Sequence, residues 1–211
     1  MRHVQAGVVM CGRYQIEIDD EVLREMCESI ARAQQTRPEY EQLTIKYEGE
    51  VFPSDIVPVQ TGIDCYEPMK WGFTGFDGKL LINARSETAL QKPTFRQAML
   101  GQRCLIPASW YYEWQHVGSR KVKHRLYPSD SSPLFFAACY QQERGAAVPR
   151  FVILTQDAVS GAPNIAHIHS RMPVILAPEY HRVWLSGFEG GLGEFLDGRD
   201  SLQVHLLYEA V

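Results

Sequence analysis

The sequence predicts an α+β fold in a single domain, with mainly antiparallel strands that form a barrel-like sheet and with helices that flank it. Many short apolar or alternating segments are separated by turn residues, which is typical of strands. Helical periodicity is confined to a few stretches, and helices and strands do not alternate in the βαβ order of a parallel sheet. The chain has 211 residues, of which 45% are hydrophobic, so it is long enough to bury a core of its own.

The first half of the chain is predicted to start with a strand and a helix. Residues 14–18 alternate in polarity and indicate a strand, after which Asp19 and Asp20 are expected to cap a helix that extends to about Arg32. Residues 34–42 are polar and are interpreted as a loop. Strands are then predicted at 56–60, 65–71 and 80–82, and short helices at 83–90 and 94–100.

The second half is predicted to consist mainly of strands, and Pro107 is expected to end the first of them. The last strand is expected to close the domain. Helical segments are predicted at 163–166, 178–184 and 192–196. The predicted strands are 104–106, 109–115, 121–127, 134–140, 151–154, 173–176 and 204–207.

Charge and cysteine content limit the classes of function. The net charge is −4, whereas a protein that holds nucleic acid through its overall charge is basic, so phosphate binding here requires a local cluster of Arg and Lys. The five cysteines are scattered and lack a C-x-x-C motif, which indicates reduced thiols in the cytoplasm rather than a disulfide framework or a zinc ribbon. Because the chain has no long apolar run, we predict no transmembrane helix and no membrane partner.

Common sequence signatures of enzymes are absent. The chain has no G-x-x-x-x-G-K-[ST], no G-x-G-x-x-G after a strand, no H-E-x-x-H and no G-x-S-x-G. Their absence excludes nucleotide hydrolysis by a P-loop, dinucleotide binding, zincin chemistry and a nucleophile elbow. We therefore predict that the protein uses no cofactor.

Cys11 follows Met10, and residues 1–9 before it are interpreted as a disordered leader or an incorrectly assigned start, with the domain spanning residues 10–211. If Met10 is the start and is removed, Cys11 carries a free α-amine with a pKa of about 8 beside a thiol with a pKa of about 8.5. Such an amine condenses with an aldehyde to a Schiff base, and the thiol then closes on the imine carbon to give a thiazolidine. The alternative is that Cys11 is a small buried residue near the start of a strand.

The stretch from His167 to Pro173 contains two histidines and an arginine. In an extended segment His167 and His169 lie on one face and could bind a metal, but no third ligand stands at motif spacing, so no metal site is predicted. Alternatively, one of them is an acid–base residue, because the unperturbed pKa of histidine is about 6.5. Arg171 suits a phosphate or a carboxylate through bidentate hydrogen bonds.

Several further positions have both a structural and a functional interpretation. Glu113 lies within an aromatic strand, where burial raises the pKa of a carboxyl and provides a general acid, unless the side chain faces outward. Asn83 and Arg85 could hold a substrate oxygen and a phosphate, or Asn83 could be a helix N-cap with Arg85 and Glu87 solvated. Trp71 could be a core residue or a platform for an unpaired base.

Six short motifs occur in a fixed order: Met10-Cys11-Gly12-Arg13-Tyr14, Trp71-Gly72, Asn83-Ala84-Arg85-Ser86-Glu87-Thr88, Arg103-Cys104-Leu105-Ile106-Pro107-Ala108, Tyr112-Glu113-Trp114 and His169-Ser170-Arg171-Met172-Pro173. Each motif is modest alone, but the ordered set is specific. It resembles the SOS response-associated peptidase (SRAP) family, the abasic-site processing proteins. The similarity extends from Cys11 to about Leu176, which is most of the chain.

The resemblance implies that Cys11 becomes N-terminal and forms a thiazolidine with the ring-opened sugar of an abasic site in single-stranded DNA, in the DNA damage response. It implies that Glu113 helps to open the sugar and shuttles protons, that His169 assists the Schiff-base steps and that Asn83 positions the reacting groups. The DNA contacts that it implies are Arg13, Trp71, Arg85 and Arg171. We therefore expect abasic single-stranded DNA as the partner, and a monomeric, cytoplasmic protein.

The chain also departs from the family pattern. Residues 1–9, if they are retained, place the α-amine of Cys11 in a peptide bond and prevent thiazolidine formation. Ser109-Trp110 stands where the family usually has Gly-Phe, and residues 136–140 replace an Ala-Gly-Leu-Trp-like strand. The region after Trp71 lacks a proline–tryptophan loop. The last three departures concern the DNA groove more than the chemistry.

Two alternative functions stay open. In a cysteine autopeptidase, the Cys11 thiolate attacks, His169 is the base and Asn83 donates to the oxyanion. In a non-covalent binder of single strands, Trp71 and two arginines, Arg85 and Arg171, hold the DNA, and the affinity falls steeply with salt. Strand cleavage by β-elimination from the Schiff base is a plausible lyase side activity of the crosslinking protein.

Overall fold

The structure, a computed structural model, describes residues 11–17, 21–63, 65–186, 191–198 and 204–211. The predicted leader at 1–9 lies outside the described residues. The helices are α1 Glu21–Thr36, α2 Ser86–Ala89, α3 Pro93–Gly101, α4 Ala158–Gly161, α5 Pro178–Ser186 and α6 Leu192–Asp197. The strands are β1 Arg13–Ile16, β2 Gly49–Val51, β3 Ile56–Gly62, β4 Cys65–Trp71, β5 Phe73–Thr74, β6 Leu80–Leu81, β7 Asn83–Arg85, β8 Arg103–Ala108, β9 Trp110–Val117, β10 Arg120–Pro128, β11 Leu134–Gln141, β12 Arg150–Asp157, β13 Arg171–Pro173 and β14 Leu206–Ala210.

A closed ring of strands forms the barrel-like part of the fold. The ring runs through β11, β8, β3, β4 and β12, and it closes through a pairing of β12 with β11. Neighbours in the ring are antiparallel except β12 and β4, and β7 and β13 pair with the end of β12. The predicted α+β class, with a barrel-like and mainly antiparallel sheet, is therefore confirmed.

A second, antiparallel sheet in the order β14, β10, β9, β1, β2 packs against the ring. Because side chains alternate along a strand, the paired residues Tyr14 of β1 and Tyr111 of β9 face the same side, and both are fully buried. Their rings meet Phe136 of β11 edge-on, with centroids 5.9 and 6.0 Å apart. One face of β9 therefore points into the core between the two sheets.

Helix α1 is longer than the sequence predicts. It continues to Thr36, so the first residues of the loop predicted at 34–42 are helical. Asp19 and Asp20, predicted to cap this helix, lie outside the described residues. Within the described part of the chain, no helix is long and apolar enough to cross a membrane. The buried side chains of α1 recur at helical spacing and are Leu23, Met26, Cys27 and Ile30.

The helix predicted at 83–90 is wrong in its first part. Asn83–Arg85 is a strand that pairs in parallel with Ile153–Thr155 of β12, and the helix begins only at Ser86. The pairing with a distant strand overrides the local pattern, which by itself does not distinguish a short strand from a helix start. Asn83 is therefore a strand residue and not a helix N-cap.

Two strand ends also differ from the prediction. Strand β8 continues through Pro107 to Ala108 instead of ending at the proline. Beyond Leu105 this strand pairs with β11 but not with β3. Pro107 has no N–H to donate, but a donor on the β3 side would have no ladder partner there, so the strand can continue through the proline. The strand predicted at 173–176 is instead Arg171–Pro173, which pairs with Thr155–Asp157 of β12, and Ile175 forms only an isolated bridge with Phe136 of β11.

Arg103 is a buried arginine that satisfies the carboxyl ends of two helices. Its Nε donates to the carbonyl of Trp184 in α5 at 2.8 Å, and its Nη1 donates to the carbonyls of Met99 and Leu100 in α3 at 2.9 and 3.0 Å. Carbonyls in the last turn of a helix have no partner within the helix. Arg103 therefore joins both helices to the start of β8.

Replacing Arg103 by Met is expected to lower the free energy of unfolding by about 3 kcal/mol, because buried carbonyls lose a charged donor. Denaturant unfolding at pH 7 measures this change. The same substitution at Lys79, whose side chain is 81% exposed, is the control and should leave the unfolding midpoint unchanged. Equal midpoints for the wild-type and Arg103→Met proteins would contradict the assigned role.

Candidate functional site

Cys11 and Glu113 meet at the end of β1. The backbone N–H of Cys11 donates to Oε1 of Glu113 at 2.6 Å. Both residues are buried, with 0% and 2% of their surfaces exposed. The pairing of Arg13 with Tyr112 places Gly12 opposite Glu113 and Cys11 one residue further. This amide nitrogen occupies the position of the α-amine in a chain that begins at Cys11.

The backbone of Cys11 adopts a left-handed conformation, with φ at 40°. Residues with a side chain rarely adopt this region, and it costs about 1–3 kcal/mol. The conformation lies just before β1 and accompanies the hydrogen bond of the Cys11 nitrogen to a buried carboxyl. Strain of this kind is concentrated at functional sites.

Glu113 is a buried carboxyl on the inward face of β9, so the alternative that it faces outward is wrong. Burial raises the pKa of Glu113 to about 8, although hydrogen bonds from the backbone N–H groups of Cys11 and Trp114 oppose this rise. At neutral pH the carboxyl is therefore largely protonated. A group with a pKa near the working pH can both donate and accept a proton.

The Cys11 thiol is neutral at neutral pH. Burial raises the pKa of this thiol well above its usual value, and the neighbouring Glu113 carboxylate raises it further. The structural interpretation of Cys11, a buried residue at the start of a strand, is therefore compatible with a position in the candidate site. Among the other cysteines, Cys65 is the exposed one.

His169 lies in the turn before β13. Its Nδ1 lies 3.0 Å from both the backbone nitrogen and the backbone carbonyl oxygen of Arg171, so it accepts from the N–H in one tautomer and donates to the carbonyl in the other. The ring is half-buried, and burial lowers the pKa of His169, whereas the hydrogen bond with Arg171 opposes that change. The charge of His116, near the end of β9, also lowers this pKa. His169 therefore lies near the strand that carries Glu113.

The prediction that His167 and His169 share one face of an extended segment is wrong. Residues 163–165 form a 3₁₀ turn and residues 166–168 continue as turns. His167 is exposed, and its ring packs edge-on against Tyr208 with centroids 5.2 Å apart. Within the described ranges, no group of three or more His, Cys, Asp or Glu side chains could hold a metal ion.

Asn83 and Arg85 line one cavity of about 310 Å³. The parallel pairing of β7 with β12 places Arg85 beside Thr155, and the loop before α3 contributes Lys92. The cavity therefore combines an amide, two hydroxyls and two cations. Lys92 was not among the predicted site residues, because a single lysine before a proline carries no motif. The lining residues are Leu81, Asn83, Arg85, Lys92, Thr94, Phe95 and Thr155.

Trp71 is a core residue. Its exposed fraction is 0%, its Nε1 donates to the carbonyl of Ile82 at 3.0 Å, and its ring stacks on Phe151 with centroids 6.2 Å apart. No face of the indole reaches the surface. The alternative that Trp71 is a stacking platform for an unpaired base is therefore wrong.

Arg13 and Arg171 are both paired with carboxylates. Nη1 of Arg13 lies 3.1 Å from Oε1 of Glu50. Nη1 and Nη2 of Arg171 donate to the two oxygens of Glu87 at 2.5 and 2.9 Å, and Nη2 also donates to the carbonyl of Thr155 at 2.7 Å. The bidentate partner of Arg171 is thus a carboxylate, and Glu87 is not simply solvated. A DNA contact by either arginine remains a prediction and requires exchange of these partners.

Phe76 is an exposed aromatic residue that was not among the predicted site residues. It lies at the tip of the β5–β6 hairpin, and its side chain is completely exposed. Gly75 and Gly78 close the turn through a hydrogen bond from the N–H of Gly78 to the carbonyl of Gly75 at 2.9 Å. In the sequence, an aromatic residue between two glycines could have indicated an exposed ring at the tip of a turn. The hairpin follows β4 and leads through β6 into β7, which carries Asn83.

Together the fold and the site define a small α+β protein whose candidate centre is a buried cysteine–carboxyl pair. A histidine on a separate turn lies near the end of β9, and a basic cavity is lined by β7 and β12. Residues 10–200 match the model of the SOS response associated peptidase (SRAP) family. The chain belongs to this family.

Several characterised proteins are similar to the chain. The abasic site processing protein YoaM of Bacillus subtilis is 37% identical over a segment that covers 52% of this chain and 48% of YoaM. YoqW of the same organism is 32% identical, with 66% and 69% covered, and YedK of Escherichia coli is 34% identical, with 56% and 54% covered. The similarity thus spans about half of YoaM and of YedK and about two thirds of YoqW.

Solved structures show the same fold. A protein from Bordetella bronchiseptica superposes with a TM-score of 0.71 at 25% identity, covering 95% of this chain and 99% of that protein. A protein from Bacteroides thetaiotaomicron superposes with a TM-score of 0.70 at 21% identity, covering 95% and 92%. At this identity the second similarity concerns the fold alone.

Proposed function

We propose that this chain processes abasic sites by forming a covalent thiazolidine between N-terminal Cys11 and the ring-opened sugar of an abasic site in single-stranded DNA. The observation that carries this proposal is the 2.6 Å contact between the Cys11 nitrogen and Oε1 of Glu113. In a chain that begins at Cys11, that nitrogen is the attacking amine. The relatives named abasic site processing proteins supply the substrate class.

Glu113 and the α-amine both titrate close to neutral pH. Burial raises the pKa of Glu113 to about 8, and a free α-amine has a pKa of about 8. Both groups can therefore exchange protons at the working pH. A neutral amine next to a protonated acid is the combination that carbinolamine formation and dehydration require.

The reaction balances with the groups at the site. The amine of Cys11 adds to the aldehyde carbon, and the carbinolamine loses water after Glu113 donates a proton to its hydroxyl. The sulfur of Cys11 then adds to the imine carbon, and the thiol proton passes to the nitrogen. The imine nitrogen is the base that removes the thiol proton as the sulfur adds, so no free thiolate has to persist in the buried site. We assign His169 to proton transfer in the Schiff-base steps, Asn83 to a sugar oxygen and Arg85 to a phosphate.

The competing functions have weaker support. A thiol autopeptidase requires a Cys11 thiolate, whereas burial raises the pKa of that thiol. The strained backbone of Cys11 next to the bond after Met10 is the feature in its favour. A purely non-covalent binder relies on Trp71, which is buried, on Arg171, which is paired with a carboxylate, and on Arg85, which lines the cavity beside β7.

Intact mass spectrometry tests the proposal. Protein expressed from Met10 is incubated with a single-stranded oligonucleotide that carries one abasic site. We expect the mass of protein without Met10 plus oligonucleotide, less one water, and no adduct with an intact strand. Protein with Cys11 at its N-terminus that forms no adduct would refute the crosslinking function, and cleaved oligonucleotide would show lyase activity instead.

A parallel sample expressed from Met1 tests the autopeptidase function. Self-trimming to Cys11 that is lost in a His169→Ala protein would support this function. A full-length product that cannot crosslink would show that residues before Cys11 must be removed by other means.

The Phe76→Ala protein is expected to bind an intact single strand about tenfold more weakly, because an exposed aromatic ring that stacks on a base contributes about 1–3 kcal/mol. Fluorescence anisotropy with a labelled oligonucleotide measures this change. Phe76→Trp is the matched control and should retain the affinity. Equal binding by all three proteins would exclude the hairpin tip from the DNA contact.

A further inference from the structure

Gln115 connects the strand of Glu113 to the turn of His169. Its Nε2 donates to the backbone carbonyl of His167 at 3.3 Å, and its Oε1 lies 3.2 Å from Nε2 of His124. A backbone carbonyl only accepts, so the amide nitrogen must face His167 and the amide oxygen must face His124. His124 therefore carries its proton on Nε2 and donates to Gln115.

His124 is placed beside the candidate catalytic carboxyl by the register of the sheet. It stands opposite Glu113 in the β9–β10 ladder, and side chains of directly opposed residues lie on the same face about 5 Å apart. His124 is buried, with 7% of its surface exposed. Gln115, two residues beyond Glu113, points to the same face.

The turn that carries His169 has no strand ladder at residues 166–170, and backbone bonds and one core residue hold its end. Ile168 is buried and its N–H donates to the carbonyl of Ile165 at 2.9 Å, while the carbonyl of Ser170 accepts from the N–H of Ala158 at 2.9 Å. On the His167 side, the backbone carbonyl of His167 accepts from Gln115. Tyr208 of β14 packs against both His124 and His167, with ring centroids 6.0 and 5.2 Å apart. The side-chain contacts on β9, β10 and β14 therefore hold the His167 side of this turn.

We propose that Gln115, oriented by His124, is a positioning residue that fixes His169 relative to Glu113, an inference that rests on the proposed crosslinking function. Gln115 itself touches neither of the reacting atoms of Cys11. It acts by holding the turn that carries His169 against β9, the strand that carries Glu113. Catalytic groups need such support, because a displacement of about 1 Å can lower a rate about 100-fold.

The test is the Gln115→Met substitution in the full chain, which keeps the length of the side chain and removes the amide. The rate of adduct formation at saturating abasic oligonucleotide is expected to fall about 10- to 100-fold. The oligonucleotide concentration that gives half the maximal rate should change less than about twofold, since the amide contacts no predicted DNA residue. Gln142→Met is the matched control, because the Gln142 amide also donates to a backbone carbonyl, that of Ala146 at 2.8 Å, in another turn.

A second measurement separates positioning from a general loss of structure. Burial lowers the pKa of His169, so a turn that is released and better solvated should show a His169 pKa closer to about 6.5. NMR titration of the His169 ring measures this shift in the Gln115→Met protein. His124→Phe should reproduce the loss of rate, and the double variant should lose no more than either single variant, because the two residues act as one unit.

These measurements distinguish a failure of the positioning role from a failure of the crosslinking function. A wild-type rate for Gln115→Met, or a reduced rate with an unchanged His169 titration, overturns the positioning role while the crosslinking function stands. A wild-type chain that forms no adduct overturns the crosslinking function and this proposal with it. A fall in rate with Gln142→Met equal to that with Gln115→Met would show that the effect does not belong to the bridge.

Discussion

The Cys11→Ser protein is expected to form no adduct that survives denaturation, whereas the wild-type chain forms one. Serine keeps the α-amine, so the imine with the abasic sugar still forms, but a hydroxyl does not close the ring as a thiol does. The imine then hydrolyses. Denaturing gels and intact mass after incubation with an abasic oligonucleotide measure the loss, and borohydride should trap the imine of the variant.

Cys65→Ser is the control for this experiment, because Cys65 is an exposed thiol and should not be needed for the adduct. Loss of the stable adduct with Cys65→Ser, and not with Cys11→Ser, would place the reactive thiol elsewhere. A stable adduct with Cys11→Ser would show that the sulfur is not part of the linkage.

The Glu113→Gln protein is expected to form the adduct about 10²- to 10⁴-fold more slowly, because general acid–base catalysis contributes about that much. Glutamine can still accept the N–H of Cys11, so the geometry at the amine is preserved while the exchangeable proton is lost. The wild-type rate should fall as pH rises through the Glu113 pKa of about 8, because the acid is lost, whereas deprotonation of the α-amine, with a pKa of about 8, raises the rate over the same range. The falling limb should be absent in the variant, and its persistence would assign that limb to another group.

The same substitution should change how stability depends on pH. The pKa of Glu113 is about 8 in the folded state and about 4.3 in an unfolded chain, so the folded state binds more protons between these values. The stabilising contribution of the protonated carboxyl is complete below about pH 4.3 and is lost as pH rises to about 8. Compared with wild type, Glu113→Gln should therefore gain stability from pH 5 to 8, on the order of a few kcal/mol. Parallel curves in chemical denaturation would contradict the raised pKa.

Most elements of the fold follow from local patterns in the sequence. Alternation in β9 and helical spacing in α1 each depend on nearby residues, so their periods are visible without a partner strand. The segment from Asn83 to Arg85 was mistaken for a helix because its strand character comes from pairing with β12, far along the chain. The turn at His167 was mistaken for an extended segment for a similar reason, since contacts with β9 and β14 shape it.

The candidate site, like the fold, could be predicted from the sequence only in part. Cys11, Glu113 and His169 could be selected by residue type and by the order of the family motifs, and the family itself is confirmed. The face of each side chain and its partner could not be predicted. Trp71 proved to be buried, and Arg171 proved to be paired with Glu87, because packing and long-range contacts determine exposure.

By itself the sequence determined the α+β class, the family and the types of chemical group available to the protein, because composition, periodicity and motif order are properties of the chain. Only the tertiary structure decided that the nitrogen of Cys11 lies against Glu113, and that Gln115 of β9 donates to the turn that carries His169. Strand register places these groups together, and burial at that place raises the pKa of Glu113 to about 8. Register and burial are set by contacts between residues far apart in the chain, which no local pattern contains.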